Sequence, residues 1–181
     1  MAFTSDLDHI TRAAAGDPAA VRILVRRYSP GVLGLATRML GDRMEAEDVT
    51  QETFLRAWKA LPGWEPRAKF STWLHRVALN LCYDRLRKKR ETLPGDLPDQ
   101  PDRSLGPAEA YDQSQRVRAI ERAISRLPER QSAALTLCAL QGHSQAEAAE
   151  ILEISVEALE SLLARARRTL RAELLEGSAR R

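Results

Sequence analysis

Residues 74–89, LHRVALNLCYDRLRKK, place Leu74, Val77, Ala78 and Leu81 three and four positions apart, and Arg76, Asn80, Tyr83 and Arg87 at offsets of four, seven and eleven. That is the period of an α-helix with one face toward a core and another left for solvent or a ligand. The rest of the chain follows suit, since apolar residues recur at three- and four-residue intervals and no stretch sustains period-two alternation. An all-α fold is therefore expected. Gly16 closes a helix over 5–15, Asp17-Pro18 opens one that runs to Tyr28, and Ser29-Pro30 opens another that stops at Gly41. A fourth spans about 44–61 before Pro62-Gly63, and Ser71 is the expected N-cap of a fifth, which ends in the cations of 85–90. Further helices are expected over 112–125, 129–141, 145–152 and 156–175.

Charge and ring content divide these helices into two small domains. Residues 1–90 carry 16 basic and 10 acidic side chains, 91–112 carry 1 and 6, and 113–181 carry 11 and 9. The middle segment holds four of the nine prolines and little apolar content, so it reads as an extended acidic linker between a domain of residues 1–90 and one of 113–181. Six of the nine aromatic residues (Phe54, Trp58, Trp64, Phe70, Trp73, Tyr83) fall within 30 residues of the first domain, and none follows Tyr111.

The polar face of the opening stretch combines a side chain that can read a base edge (Asn80), a stacking ring (Tyr83) and phosphate-binding guanidinium groups (Arg76, Arg87), with Lys88 beyond. Lys69, Phe70, Ser71, Thr72 and Trp73 add a cation, two rings and two hydroxyls just before it. This chemistry suits a nucleic-acid strand with accessible bases; a solvated basic face beside a core that uses Phe70 and Trp73 would show the same residues. In the preceding helix, Ala46, Val49, Thr53, Phe54, Ala57, Trp58 and Leu61 form the inner face. Asp48, Gln51, Glu52, Leu55, Arg56 and Lys59 form the outer one, where Leu55, ringed by polar groups, marks either a docking surface for a partner helix or an ordinary exposed leucine.

In the second domain, Ser144 and Glu147 make a capping box, the helix they start ends near Leu152, and Ser155 caps the next. That is a helix-turn-helix pattern, whose second helix would lay early residues (Glu157, Ala158, Glu160, Ser161) against base edges and later cations (Arg165, Arg168) against phosphates. An antiparallel helical pair is the plainer alternative. His9, His75 and His143 are scattered, Cys82 and Cys138 have no metal-ligand or disulfide spacing, and there is no Gly-rich phosphate loop, so neither a catalytic set, a metal nor a cofactor is expected. No apolar run reaches the roughly 18–20 residues of a membrane span, and the cysteine usage points to the cytoplasm.

Three blocks, DRMEAEDVTQETFLRAWKAL (42–61), KFSTWLHRVALNLCYDRLRKKR (69–90) and AISRLPERQSAALTLCALQGHSQAEAAEIL (123–152), together resemble the extracytoplasmic-function group of sigma-70-type bacterial sigma factors. The resemblance implies a non-catalytic initiation factor that binds core RNA polymerase, directs it to promoters and helps melt them. It implies that domain two comes first, with Asp48, Gln51, Glu52, Leu55, Arg56 and Lys59 against the clamp helices of the largest polymerase subunit. It places Lys69, Phe70, Ser71, Thr72, Trp73, Arg76, Asn80, Tyr83, Arg87 and Lys88 on the non-template strand of the minus-ten element. Domain four would follow, with Ser155, Glu157, Ala158, Glu160, Ser161, Arg165 and Arg168 on the minus-thirty-five element and contact to the flap of the second-largest subunit. The linker would mimic RNA in polymerase channels, and an anti-sigma protein is an implied partner. The chain departs from the family pattern at Glu153, where a turn Gly is usual, and at Glu160 and Leu162, where Lys and Arg are usual; Glu157 or Glu160 is expected to read a cytosine amino group. A stand-alone helix-turn-helix regulator, which would leave the aromatic-basic stripe and the linker without purpose, and a small helical enzyme, which lacks a convergent catalytic set, are the competing readings.

Overall fold

The computed structural model describes residues 2–65, 68–92, 123–124 and 126–179. The described residues form helices and no strand: α1 (Ala2–Ala14), α2 (Pro18–Leu40), α3 (Arg43–Ala60) with a short 3₁₀ turn at Leu61–Gly63, α4 (Phe70–Thr92), α5 (Glu129–Leu135), α6 (Gln145–Leu152) and α7 (Val156–Ala179). Most of the expected acidic linker, and all but Ala123 and Ile124 of the helix expected over 112–125, lie outside the described residues.

Each early helix starts where its cap chemistry says it should. The Asp17 carboxylate accepts from the Ala19 amide at 2.8 Å, ahead of Pro18 at the first helical position, and Asp42 accepts from Met44 and Glu45 at 2.8 and 3.1 Å. Gly41, at φ 67°, ends α2 in the left-handed region that a side chain would resist.

Three expectations need correction. Residues 18–40 form one helix, with Pro30 inside it, where two helices broken at Ser29-Pro30 were expected. Proline removes one backbone donor and crowds the carbonyl four residues back. Burial of Val32, Leu35, Ala36, Met39 and Leu40 after it, and of Ala20 and Leu24 before it, along a single face holds the helix across that defect. Ser71 is not an N-cap, because α4 already begins at Phe70. The helix expected over 129–141 is α only to Leu135 and continues as a π turn over Thr136–Leu140.

α2 packs on both α3 and α4, with α1 laid across α2. Leu24, Val32, Leu35, Val49, Leu74, Ala78 and Cys82 are fully buried between them. Thr53 joins this core without an orphaned hydroxyl, since its Oγ1 donates to the Val49 carbonyl at 2.7 Å. In the second unit α7 packs against α5 and α6 over Leu137, Ile151, Leu159, Leu163 and Ala166. The two units touch, α6 on α4 and α5 on α2, and their buried side chains belong to one contiguous apolar cluster.

Candidate polymerase and nucleic-acid interfaces

On α3 the inner and outer faces separate as the spacing predicts: Ala46, Val49, Thr53, Phe54 and Ala57 are buried, while Asp48, Gln51, Leu55, Arg56 and Lys59 are exposed and Glu52 is half-buried. Leu55 is 53% exposed, a large apolar side chain that the described residues leave open. It lines an open groove together with Asp48, Gln51, Glu52 and Arg56 from α3 and Leu81, Asp84, Arg85 and Lys88 from α4. The α4 wall was missed in the sequence. Arg85 crosses between the helices, 3.7 Å from the Asp48 carboxylate and 3.4 Å from the Glu45 carbonyl, and Arg56 is tied to Glu52 at 2.9 Å. Lys59 lies outside the groove lining.

The aromatic-basic set of α4 divides between surface and core. Asn80, Arg87, Lys88 and Lys69 are exposed, and Ser71, Trp73, Arg76 and Tyr83 are half-buried. Phe70 and Thr72 are buried at 3% and 2% exposure. Phe70 is the hub of a ring cluster, edge-on to Tyr28 and Trp64 at 5.6 and 5.7 Å and stacked with Trp73 at 6.2 Å. It packs against Trp73 beneath the start of α4. Arg87 is held by Asp84 at 2.9 Å. Burial pushes the Tyr83 phenol up to about 12, with Arg130 and Glu129 of the second unit acting on it in opposite senses.

The helix-turn-helix takes the expected form. The Ser144 hydroxyl accepts from the Glu147 amide at 3.2 Å while Glu147 accepts from the Ser144 amide at 3.1 Å, and Ser155 Oγ accepts from the Ala158 amide at 3.2 Å. The turn between them keeps the left-handed geometry without glycine: Glu153 stands at φ 54°, ψ 45°. Ser155, Glu157, Ala158, Glu160, Ser161, Arg165 and Arg168 are all exposed on the first turns and middle of α7, while Leu159, Leu163 and Ala166 face inward. Leu162, half-buried, packs at the edge of the core.

Residues far apart in sequence meet where the two units touch. Arg76 donates to the Glu150 carbonyl at 2.7 Å and lies 3.3 Å from the Glu153 carboxylate; Lys69 bonds the Glu147 carboxylate, and Gln141 donates to the Gly31 carbonyl at 2.7 Å. Arg90 pairs with Glu129 at 3.2 Å. The His75 and His143 rings meet edge to face, centroids 4.9 Å apart. Lys69 holds the Glu147 carboxyl down at about 2, helped by the Ser144 amide. None of these pairs has a local sequence signal, since partners lie 39 to 110 positions apart.

Among the described residues no group of three His, Cys, Asp or Glu could hold a metal ion, and no helix is long and apolar enough to cross a membrane. Cys82 is a buried free thiol, pushed by burial up to about 12, which marks it as core.

Comparison with known proteins bears on both units. Sigma-70 region 2 matches residues 24–92 and Sigma-70, region 4 matches 117–170. The chain is 34% identical to the ECF RNA polymerase sigma factor SigE of Mycolicibacterium smegmatis, over 92% of this chain and 67% of that protein. It is 32% identical to the ECF RNA polymerase sigma factor SigW of Bacillus subtilis, over 91% of this chain and 94% of that one. Among solved structures, CnrH in complex with the cytosolic domain of CnrY matches with a TM-score of 0.71 and 30% identity, covering 95% of this chain and 97% of that one. With two region profiles in the right order and relatives aligned over more than nine-tenths of this chain, the chain belongs to the extracytoplasmic-function group of the sigma-70 family of RNA polymerase sigma factors.

Proposed function

We propose that this sigma factor works through two surfaces that meet at Lys88: the α3–α4 groove around Leu55 for core RNA polymerase, and the polar stripe of α4 for the melted minus-ten strand. The initiation role follows from the family: the protein binds core polymerase, directs it to promoters and promotes melting. One observation carries the division of labour. An apolar side chain 53% exposed in a polar-rimmed groove is the anatomy of a protein-docking hot spot, while Asn80, Trp73 and Tyr83 with Lys69, Arg76, Arg87 and Lys88 lie on the part of the molecule suited to a splayed base and its phosphates. Asp48, Gln51, Glu52, Arg56 and Lys59 form the rim of the docking surface. Ser71 joins the strand contacts, and Phe70 and Thr72 act from the core by positioning Trp73 and the N-terminus of α4.

Residues 1–90 are the first functional domain, 91–112 the linker and 113–181 the second. There α7 offers Ser155, Glu157, Ala158, Glu160 and Ser161 to the bases of intact duplex at minus thirty-five, with Arg165 and Arg168 on its phosphates. A duplex reader has no unstacked base to hold, which is consistent with a second domain that has no ring. The protein acts in the cytoplasm, where its polymerase is, and as a member of its family takes an anti-sigma protein as partner; CnrH, which it resembles in fold, was solved with a protein partner, the cytosolic domain of CnrY. A stand-alone regulator is set aside by the sigma-factor relatives that match over most of the chain.

The test is co-elution with core RNA polymerase on a sizing column. A one-to-one complex is expected, weakened about tenfold or more by Leu55→Ala, as for a buried apolar anchor. Undiminished binding by that variant would remove Leu55 from the docking surface.

A further inference from the structure

Two cations of the minus-ten face, Lys69 and Arg76, are already occupied. Lys69 bonds Glu147, and Arg76 is shared between the Glu150 carbonyl and the Glu153 carboxylate, so the edge of α6 presents to α4 the negative groups a promoter strand would present. Glu153 adds a separate clue. A non-glycine residue in the left-handed region costs about 1 kcal/mol or more, and the carboxylate that comes with this strain is the one placed at 3.3 Å from Arg76.

Beside these ion pairs lies the His75–His143 contact, with a specific packing basis. Gly31 on α2 lets the His75 ring approach so closely that a Cβ there would lie 3.3 Å from its Nε2, and the Gly31 carbonyl is the atom Gln141 bonds. We propose that α6 and the turn leading into it form an intramolecular cover over the minus-ten face, closed while the His75–His143 contact is neutral and released when that contact is protonated.

The groups around the two rings set the sign. For His75, burial disfavours the charged form most strongly and His143 adds to this, against the Ser71 carbonyl at 2.8 Å and Gln141, which favour it. Arg38 on α2, bonded to the Gly34 carbonyl at 3.4 Å, is a further cation near Gln141, and Arg76 follows on α4. For His143, burial and Lys69 disfavour the charge and Glu147 favours it; the net direction is downward for both rings. The closed state thus holds its histidines below the ordinary value near 6.5, and its stability is present above that pH and lost as pH falls through it. From pH 7.5 to 5.5 the closed-to-open ratio falls by up to about tenfold for each ring. Glu147, held near 2, stays ionised throughout that window.

The inhibitory meaning of the cover rests on the minus-ten reading above; the closure itself does not. Energy transfer between dyes at Glu47→Cys and Ala164→Cys, in the full chain with Cys138→Ser, measures closure directly. Efficiency is expected to fall between pH 7.5 and 5.5, and His143→Gln, which removes one titrating ring at a half-buried position, is expected to reduce that response. A pH-independent efficiency, or an unreduced response in His143→Gln, would overturn the proposal. Glu147→Gln with Glu153→Gln keeps the capping pattern but removes both carboxylates, so it is expected to shift the equilibrium toward the open form at pH 7.5, seen as lower transfer efficiency, and to raise the rate of open-complex formation on adding core polymerase by up to several-fold. An opened variant that initiates no faster would overturn the inhibitory role while leaving the sigma-factor reading intact; failure of every form to bind core polymerase would remove that reading and the inhibition with it.

Discussion

The first four helices and the last three solve the same packing problem and spend their remaining surface differently. Both bury an aliphatic face, Leu24, Leu35 and Leu74 in one and Leu137, Ile151 and Leu159 in the other. The first adds a ring cluster centred on Phe70 and a Leu55 exposed in a polar-rimmed groove, whereas the second has no ring cluster among its described residues and carries carboxylates along α6 and early α7. Rings and an open leucine suit partners that must be desolvated, a flipped base or a protein helix; an exposed helix start with later arginines suits duplex DNA, read without unstacking.

The largest effect should come from the cores. Leu74→Ala and Leu159→Ala, both fully buried, are each expected to cost about 2–5 kcal/mol in urea denaturation. Because the two sets share one cluster, each variant should lower a single cooperative transition; two separated transitions would show that the units fold independently.

Asn80→Ala sharpens the contrast between docking and melting on the first unit. Its side chain is exposed on α4 and outside the Leu55 groove, so open-complex formation should fall about tenfold, the worth of a base contact, with core binding within about twofold. Equal loss of both would place Asn80 in the fold. On the second unit, Glu160→Ala should erase discrimination for cytosine at one minus-thirty-five position by up to about tenfold, measured across a base-substitution series. An unchanged preference would leave Glu160 without a reading role.

The smallest effect is expected at the turn. Glu153→Gly relieves about 1 kcal/mol of left-handed strain and loses an exposed ion pair worth about 0–1 kcal/mol, so thermal stability should stay level or rise by a few degrees. A clear fall would mean the Arg76 pair outweighs the strain.

The candidate sites were legible to the extent that they lie on one helix. The α3 faces and the α4 stripe follow from a period of 3.6 within single segments, and the capping box from four consecutive residues, so local spacing was enough. The π turn after Leu135 and the unbroken α2 were not, since both depend on what the neighbouring helices bury. The groove wall from Leu81, Asp84, Arg85 and Lys88 was likewise invisible until α4 was set beside α3.

What the chain determined by itself was encoded within single helices and their caps: the all-α class, the starts at Asp17 and Ser144, the inward face of α3, and the polar stripe of α4. Only the tertiary structure decided that Phe70 belongs to the core, that Pro30 is tolerated, and that Lys69, His75 and Arg76 meet Glu147, His143 and Glu153. The reason is one of range. Backbone hydrogen bonding and capping act over about four residues, whereas burial and ion pairing join side chains that packing brings together from anywhere along the chain.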